Sequence, residues 1–413
     1  MSEQARSVRN VAFIDRLSSG YWLLVPVIMV VVGFGVVMLY SVAGGKVDPW
    51  VTRQLVRFGI GLAILVVVAL IDIRVWLQAA YPFYALSLAM LALVPLVGTR
   101  VMGAQRWIDM GPFQLQPSEF MKIALVLALA AYYQYLPREK VSRPLWLIVP
   151  LALVAAPVLL VLKQPDLGTS LLLLAGGAGM IFAAGVHWGY FFTGAVAVLG
   201  AMPVAWTLLH DYQKQRILTF IDPERDPLGA GFHILQSKIA VGSGGIWGKG
   251  LLKGTQNQLN FLPERHTDFI FTMLAEELGL IGSVALLGVY FLLLMIGLRI
   301  AMASFNHFGR MVAVGVCITF FLYVFVNVSM VMGLLPVVGV PLPLVSYGGT
   351  AMLTLMFGFG LLLNVAIHRH VDFSPEDKVM IWLRLPYLLI RRAVAWAADR
   401  LWTGRMGSVR ERP

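Results

Sequence analysis

The chain has 413 residues, of which 59% are hydrophobic and only 13% are charged, and its formal net charge is +11. An ordinary soluble domain carries about a quarter charged residues, so this composition excludes a typical soluble protein. Apolar runs recur along most of the chain. The first of them, YWLLVPVIMVVVGFGVVMLY at residues 21–40, carries no charge over about the length that a helix needs to cross a membrane.

The apolar runs predict helices rather than the strands of a membrane barrel. Barrel strands would alternate apolar and polar residues over about 10 positions, and these runs do not alternate. A helix also satisfies its own backbone hydrogen bonds in lipid. The sequence therefore predicts an all-α integral membrane protein with about ten transmembrane helices, at residues 21–40, 54–71, 76–97, 117–135, 145–162, 167–186, 188–209, 268–298, 311–333 and 343–367.

Three regions follow from this pattern, and their charges predict an orientation. We expect a cytoplasmic N-terminal segment at 1–20, a polytopic membrane domain at 21–368 with a large extracytoplasmic loop at 210–267 between helices seven and eight, and a basic cytoplasmic tail at 369–413. Short loops rich in Lys and Arg stay in the cytoplasm. Besides the basic tail, one set of segments holds Arg6, Arg9, Arg16, Arg74, Arg138, Lys140, Arg143, Arg299 and Arg310, and the other short loops hold fewer. Both termini are therefore expected inside, and the positive charge is expected to face anionic lipid rather than nucleic acid.

The tail contains a stretch with its own pattern. Residues 378–402, KVMIWLRLPYLLIRRAVAWAADRLW, mix Arg with Trp, Leu and Ile at roughly helical spacing, and Pro386 interrupts the pattern. We favour an amphipathic helix at the membrane interface. A loosely ordered basic tail is the alternative.

The polar clusters of the chain fall in stretches that this topology places on one outer face: 103–122, 163–169, 210–267 and 335–349. ATP is not available there. The glycine-rich segment GSGGIWGKG at 242–250 also fails as a P-loop, because Gly250 stands where Ser or Thr should hold magnesium. We therefore expect no nucleotide cofactor, and a substrate that carries its own leaving group. The glycines indicate tight turns or close backbone approach to a ligand, and a flexible loop is the alternative.

Two ionisable residues, Glu119 and Lys122, lie within the apolar fourth helix. Their spacing places them on one helix face, where they can pair. Ionisable residues inside a membrane are costly and favour a functional role, but a structural ion pair is equally supported. Just upstream, Arg106 is suited to gripping a phosphate. Trp107 is either an anchor in the interfacial aromatic belt or a platform for a sugar ring or lipid.

The densest ionisable cluster is FLPERHTDFIF at residues 261–271, directly before the eighth helix. Asp268 is either a cap of that helix or a general base at the edge of a substrate cleft, and the residues alone favour neither. Within the helix, a repeat of about 100° per residue directs Glu276 toward the side of Asp268 and Glu277 away from it. Asp166, which follows a proline, is favoured as a helix cap.

Several ordered motifs together resemble one protein family. They are RWID…QPSEFMK, QPDLGTS, DPERDPLGAGFHILQSKIAVGSGG, GKG, LPERHTDFIF…AEELG and GVPLPLVSYGG. From about residue 20 to residue 368, the chain resembles the shape, elongation, division and sporulation (SEDS) family of polytopic peptidoglycan glycosyltransferases. DPLGAGFHILQSKIA, VVGVPLPLVSYGG and the Arg265 of PERHTDF are similar to its rod-shape-determining (RodA) branch.

The resemblance implies an activity and assigns residues to it. Such enzymes polymerise lipid II, an undecaprenyl-diphosphate-linked disaccharide pentapeptide, into glycan strands for cell elongation and rod shape. The family's catalytic aspartate maps onto Asp268, as general base. The substrate-binding candidates, which include cations for the diphosphate leaving group, are Arg106, Trp107, Glu119, Lys122, Lys238, Arg265 and His266.

The resemblance also implies a setting for the reaction. A divalent cation, Mg or Mn, is a candidate Lewis acid, but no Cys and His spacing typical of metal ligands identifies a site. The lipid tails are expected in apolar grooves near Trp107 and the fourth helix. The expected location is the bacterial cytoplasmic (inner) membrane, with a periplasmic active face.

The partner expected by resemblance is a class B penicillin-binding protein that supplies transpeptidation, together with other membrane proteins of the elongation complex. Two alternatives to an enzyme remain open at this point. One is a flippase for the lipid-linked precursor, although we find no internal repeat of the kind common in transporters. The other is a non-catalytic scaffold of the elongation complex, which would not require Asp268.

Overall fold

The computed structural model describes residues 20–101, 104–109, 111, 114–208, 211–225, 229–258 and 265–373. The predicted interfacial helix at 378–402, nearly all of the predicted N-terminal segment and Glu264 of the ionisable cluster lie outside these residues. Each predicted membrane span lies wholly or almost wholly within them.

Helices dominate the described part of the chain. In chain order they are α1 (Leu24–Val42), α2 (Trp50–Leu70), α3 (Ile73–Val97), α4 (Pro117–Gln134), α5 (Pro144–Lys163), α6 (Leu167–Ala183), α7 (Trp188–Leu208), α8 (Asp211–Ile221), α9 (Ala230–Ser243), α10 (Thr255–Gln258), α11 (Ile270–Ala303), α12 (His307–Val331) and α13 (Gly349–Ile367).

The ten predicted spans correspond to α1–α7 and α11–α13, which confirms the all-α prediction, and α8–α10 lie in the predicted loop. Among the described residues, seven helices are long and apolar enough to cross a membrane: α1, α2, α3, α5, α11, α12 and α13. The helix α6 and the apolar part of α7 are shorter. The helix α4 has 18 residues, and Glu119 and Lys122 reduce its apolar character.

A small antiparallel sheet between α3 and α4 was not foreseen. Its strands are β1 (Thr99–Val101), β2 (Ala104–Asp109) and β3 (Gln114–Leu115), in that spatial order. Ile108 pairs with Leu115, and Thr99 pairs with Trp107. The sheet therefore fixes the direction of β2, which carries Arg106 and Trp107.

The helix α4 lies at the centre of the bundle. Every residue from Met121 to Ala131 is at most 4% exposed, and α4 packs against α3, α5, α6, α12 and α13. A helix that is apolar on all sides is a buried helix. Since residues 121–131 have no exposed side, the grooves expected for the lipid tails near Trp107 and the fourth helix would have to lie outside this stretch, and they stay a prediction.

The helix α11 is broken at Gly279, whose φ of 66° and ψ of −160° are not helical. The glycine-rich segment 242–250 satisfies the backbone groups that the break releases. Lys249 N and Gly250 N donate to the carbonyls of Glu276 and Glu277, while Leu280 N and Ile281 N donate to Gly245 O and Ile246 O. Backbone groups freed by a helix break in a membrane protein need such replacement partners.

The close approach of these two backbones requires glycine. A Cβ on Gly279 would overlap Gly248 N, and a Cβ on Gly248 would overlap Glu277 O. Both residues also have positive φ, which glycine adopts without the steric cost of a side chain. The segment is thus a site of close backbone approach, as the sequence indicated, but the partner is α11.

Candidate active site

A half-open cavity of about 460 Å³ lies among α4, α6, α12, the small sheet and the turn before α11. Its lining draws on all of the stretches that the sequence placed on one face. Five of the eight predicted site residues line it: Arg106, Trp107, Glu119, Lys122 and Asp268. These five residues thus come from different stretches of the chain and meet at one cavity, and their roles in catalysis and substrate binding stay predictions.

Asp268 lies in the turn at 265–269 that leads into α11. The N-cap residue of α11 is Phe269, and no side-chain hydrogen bond is made at that cap. The carboxylate instead faces the segment after α12, since Asp268 Oδ2 would lie 3.2 Å from a Cβ on Gly339. With φ of +72°, Gly339 lets this backbone pass close to the carboxylate. The carboxylate therefore lies at the cavity wall, as the general-base interpretation requires.

Glu119 and Lys122 form the predicted i,i+3 pair, and both line the cavity. Lys122 Nζ is 2.7 Å from Glu119 Oε1. Tyr323 of α12 completes the group, since its hydroxyl donates to Glu119 Oε2 at 2.5 Å and contacts Lys122 Nζ. All three residues are at most 4% exposed. Desolvated charges need such partners.

Arg106 pairs with the start of α6. Its guanidinium lies 3.7 Å from Asp166 Oδ1, and it donates to Gln164 O at 3.4 Å and to Pro165 O. Asp166 also caps α6, because Thr169 N and Thr169 Oγ1 donate to its two oxygens at 3.2 and 2.9 Å. The predicted cap is confirmed, and the same carboxylate holds Arg106 at the cavity wall.

Lys238, Arg265 and His266 do not line the cavity. Lys238 is exposed on α9, and its side chain lies over Gly333 at the end of α12. His266 stacks on Trp50 with ring centroids 4.9 Å apart. Arg265 is partly buried, and desolvation lowers the pKa of its guanidinium. A role for these three in substrate binding stays a prediction.

Glu276 and Glu277 are both buried, but neither lines the cavity. Glu276 Oε1 accepts from Lys249 Nζ and Thr255 Oγ1, each at 2.7 Å. Ser41 Oγ lies 2.7 and 2.5 Å from the two oxygens of Glu277. The prediction that Glu276 points inward with Asp268 is wrong. The helical repeat begins only at Ile270, so it does not extend back to Asp268.

Sequence reasoning missed several residues of the cavity. Tyr323 was hidden in the apolar run of α12, although a hydroxyl inside a membrane helix is a signal for a polar partner. Tyr347 lines the cavity from the turn before α13. The guanidinium carbon of Arg57 lies 4.4 Å from the centroid of the Tyr347 ring, in a cation–π contact. Only the three-dimensional packing of α2 against this turn reveals that contact.

The lining does not form a ready-made metal site. Among the described residues, no cluster of three or more His, Cys, Asp or Glu side chains could hold a metal ion. Glu119 and Asp166 are already engaged by Lys122 and Arg106.

The fold and cavity define a polytopic membrane protein with a half-open cavity lined by ionisable side chains. Residues 21–371 match the model of the FtsW/RodA/SpoVE family, which is described as cell cycle protein. The chain belongs to this family.

Relatives and solved structures agree with this membership. The chain is 53% identical to the peptidoglycan glycosyltransferase MrdB of Escherichia coli strain K12 over 269 residues, which cover 65% of this chain and 72% of MrdB. It resembles a chain of a peptidoglycan synthase complex that coordinates polymerization and crosslinking, with a TM-score of 0.75, 36% identity and coverage of 85% and 98%. It also resembles the crystal structure of the Thermus thermophilus rod shape determining protein RodA, with a TM-score of 0.65, 32% identity and the same coverage.

Proposed function

We propose that this protein is a peptidoglycan glycosyltransferase that polymerises lipid II for cell elongation. The observation that carries the proposal is the convergence of Asp268, the Glu119–Lys122 pair and Arg106 on one cavity, in a chain whose relatives are peptidoglycan glycosyltransferases. The cavity size falls within the range of small-molecule sites. It suits the disaccharide diphosphate head of the substrate, with the lipid tail outside.

Asp268 is the proposed general base. It accepts the proton of the acceptor's 4-hydroxyl while that oxygen attacks the anomeric carbon of the donor. The bond from the anomeric carbon to the diphosphate oxygen breaks, and undecaprenyl diphosphate leaves with the bonding electrons. This role requires Asp268 within about 3 Å of the attacking oxygen in the complex.

Arg106 and Lys122 are the proposed partners of the leaving diphosphate. Preorganised cations stabilise charge that develops in a transition state. Among the described lining residues, however, these two cations face three carboxylates, those of Glu119, Asp166 and Asp268. A diphosphate adds further negative charge. A divalent cation would offset it by arriving on the substrate's own phosphates, as magnesium commonly does.

The proposed orientation has both termini in the cytoplasm and the cavity on the periplasmic face of the inner membrane. The asymmetry of Lys and Arg between the two sets of loops supports it. The proposed partner is a class B penicillin-binding protein that crosslinks the strands made here, with other membrane proteins of the elongation complex. A similar chain that works within a peptidoglycan synthase complex supports this.

Purified protein and labelled lipid II test the function. We expect glycan chains from the native protein, and a loss of about 10²–10⁴-fold in polymerisation for Asp268→Asn, which cannot accept a proton. Asp109→Asn is the matched control, since Asp109 is an exposed carboxylate of β2. Translocation of lipid II without chains would instead define a flippase, and neither activity would define a scaffold.

A further inference from the structure

Three consecutive backbone carbonyls at Asp268 and the two residues before it accept hydrogen bonds from other segments of the fold. The carbonyls of His266, Thr267 and Asp268 each accept one hydrogen bond from a different group. The donors are Tyr347 N at 2.9 Å, Ser346 Oγ at 2.6 Å and Asn327 Nδ2 at 2.9 Å. Two of these donors are side chains from other parts of the fold.

Asn327 makes a second contact, which connects the turn that carries Asp268 to the neighbouring cavity wall. The same Nδ2 donates to Val340 O at 2.6 Å, and Val340 lines the cavity. Both partners are carbonyl oxygens, which only accept, so the orientation of the amide is fixed. Asn327 is fully buried, and its Oδ1 has no hydrogen-bond partner among the described residues. A residue that served packing alone would not need this buried amide.

Ser346, in the segment after α12, also connects the turn that carries Asp268 to that segment. Its hydroxyl donates to Thr267 O and accepts from Leu342 N at 2.7 Å. Its own carbonyl accepts from Gln54 Nε2 at 3.1 Å. The turn that carries Asp268 is thus joined to the segment after α12 through two buried side chains, and that segment is joined to α2.

We propose that Asn327 and Ser346 are positioning residues that fix the carboxylate of Asp268 relative to the cavity wall at 337–341. Neither side chain lines the cavity, so they act through the backbone that carries Asp268. This inference rests on the proposed function, in which Asp268 is the base. Displacement of a reacting group by about 1 Å can cost on the order of 10²-fold in rate.

Asn327→Leu tests the proposal, because leucine has a similar shape and suits apolar surroundings but donates no hydrogen bond. We expect kcat for polymerisation to fall by about 10–10²-fold, with the KM for lipid II within about twofold of native, as for an interaction made only in the transition state. We also expect the acid limb of the pH–rate profile to move, since the environment of the base changes. Thr319→Val is the matched control. It removes a buried hydroxyl from the same helix, and among the described residues that hydroxyl bonds only to Gly315 O of its own helix.

Two results for the folded Asn327→Leu protein would overturn the inference. One is a kcat unchanged from native, whatever the KM. The other is a loss of activity equal to that of Thr319→Val, with no change in the pH profile. If Asn327→Leu does not accumulate as folded protein, Ser346→Ala tests the inference instead. This substitution removes the hydrogen bond to Thr267 O, and the smaller alanine side chain fits the same space. Native kcat in Ser346→Ala would then refute the positioning role.

Asp268→Asn, measured in parallel, separates this inference from the proposed function. If Asp268→Asn is inactive while Asn327→Leu and Ser346→Ala are fully active, the base stands and the positioning inference fails. If Asp268→Asn polymerises lipid II well, the assignment of the base fails, and the positioning inference fails with it.

Discussion

Glu119 on α4 and Tyr323 on α12 are joined by a hydrogen bond of 2.5 Å between the tyrosine hydroxyl and one carboxylate oxygen. The other oxygen of Glu119 lies 2.7 Å from Lys122 Nζ. The carboxylate therefore connects two helices and one ammonium group at the floor of the cavity. Removal of either charge leaves the other buried without its partner.

The first prediction separates folding from chemistry in this group. Loss of one member of a buried ion pair costs about 3–5 kcal/mol, so Glu119→Gln and Lys122→Met alone should each lower the yield of folded protein. The double variant should restore folded yield, because no charge remains uncompensated. It should still fail to polymerise lipid II, because the cation is gone. Full activity in the folded double variant would mean that the pair is structural only.

Arg106 gives a second prediction, on substrate use. Arg106→Ala removes a charge-assisted contact of about 1.5–3 kcal/mol, so use of the lipid substrate should fall at least tenfold at low substrate concentration. Arg74→Ala is the control, since Arg74 is an exposed arginine whose ion pair with Asp72 at 3.9 Å lies outside the cavity. Equal effects of the two substitutions in a polymerisation assay would rule out a specific role for Arg106.

A third prediction concerns the break in α11. Gly279→Ala puts a Cβ on a residue in a backbone region that is essentially restricted to glycine, at a cost of about 1–3 kcal/mol, and the Cβ overlaps the backbone of Gly248. We expect a lower unfolding temperature and less active protein in detergent. Gly288→Ala, on the same helix, meets nothing within 4 Å and should be neutral or stabilising by up to about 1 kcal/mol. Matching unfolding temperatures for the two variants would show that the break tolerates a side chain.

Membrane orientation gives a fourth prediction. In a Cys317→Ala background, Lys253→Cys lies in the predicted outer loop, and Glu139→Cys lies between α4 and α5 on the predicted inner side. Both positions are exposed. An impermeant thiol reagent should label only the first in intact spheroplasts and both after lysis. The reverse pattern would invert the proposed topology.

The charge balance of the cavity gives a fifth prediction. Since two cations face three carboxylates in the described lining, binding of the diphosphate should improve with divalent cations. Removal of Mg²⁺ and Mn²⁺ with a chelator should raise the KM for lipid II, and added Mg²⁺ should restore it. A KM that does not respond to either ion would assign the charge compensation to protein side chains.

Hydropathy alone predicted the membrane helices well. A segment that crosses a membrane must be apolar over about 20 residues and must satisfy its backbone hydrogen bonds internally, so it appears in the sequence as a long apolar run. The largest difference between a predicted and an observed helix boundary is at the start of α13, which was predicted at residue 343 and lies at Gly349. Residues 343–348 are apolar enough to continue a span, but Ser346 and Tyr347 bond to the turn at 266–267 instead of to a helix. That contact spans a long interval of sequence, and hydropathy does not detect it.

The candidate site was predicted in part. Arg106, Glu119, Lys122 and Asp268 stood out because charge is rare in this chain, and they meet in the cavity. The same signal also selected Lys238, which does not line the cavity. The rarity of charged residues in the sequence singles out a residue, but it does not show which way the side chain points in the fold. Asn327 and Ser346 were not selected, since small uncharged polar residues are common in membrane helices and their bonds to distant carbonyls depend on the fold.

The enclosure of α4 restricts how a lipid-linked molecule can meet Lys122. Because residues 121–131 are sealed from lipid on every side, the hydrocarbon chain cannot travel alongside this helix. In the proposed reaction, the sugar diphosphate of the substrate would therefore enter the cavity from its open side while the lipid tail stays in the bilayer. In the proposed reaction, the incoming substrate and the growing strand therefore share the open side of one cavity in each cycle.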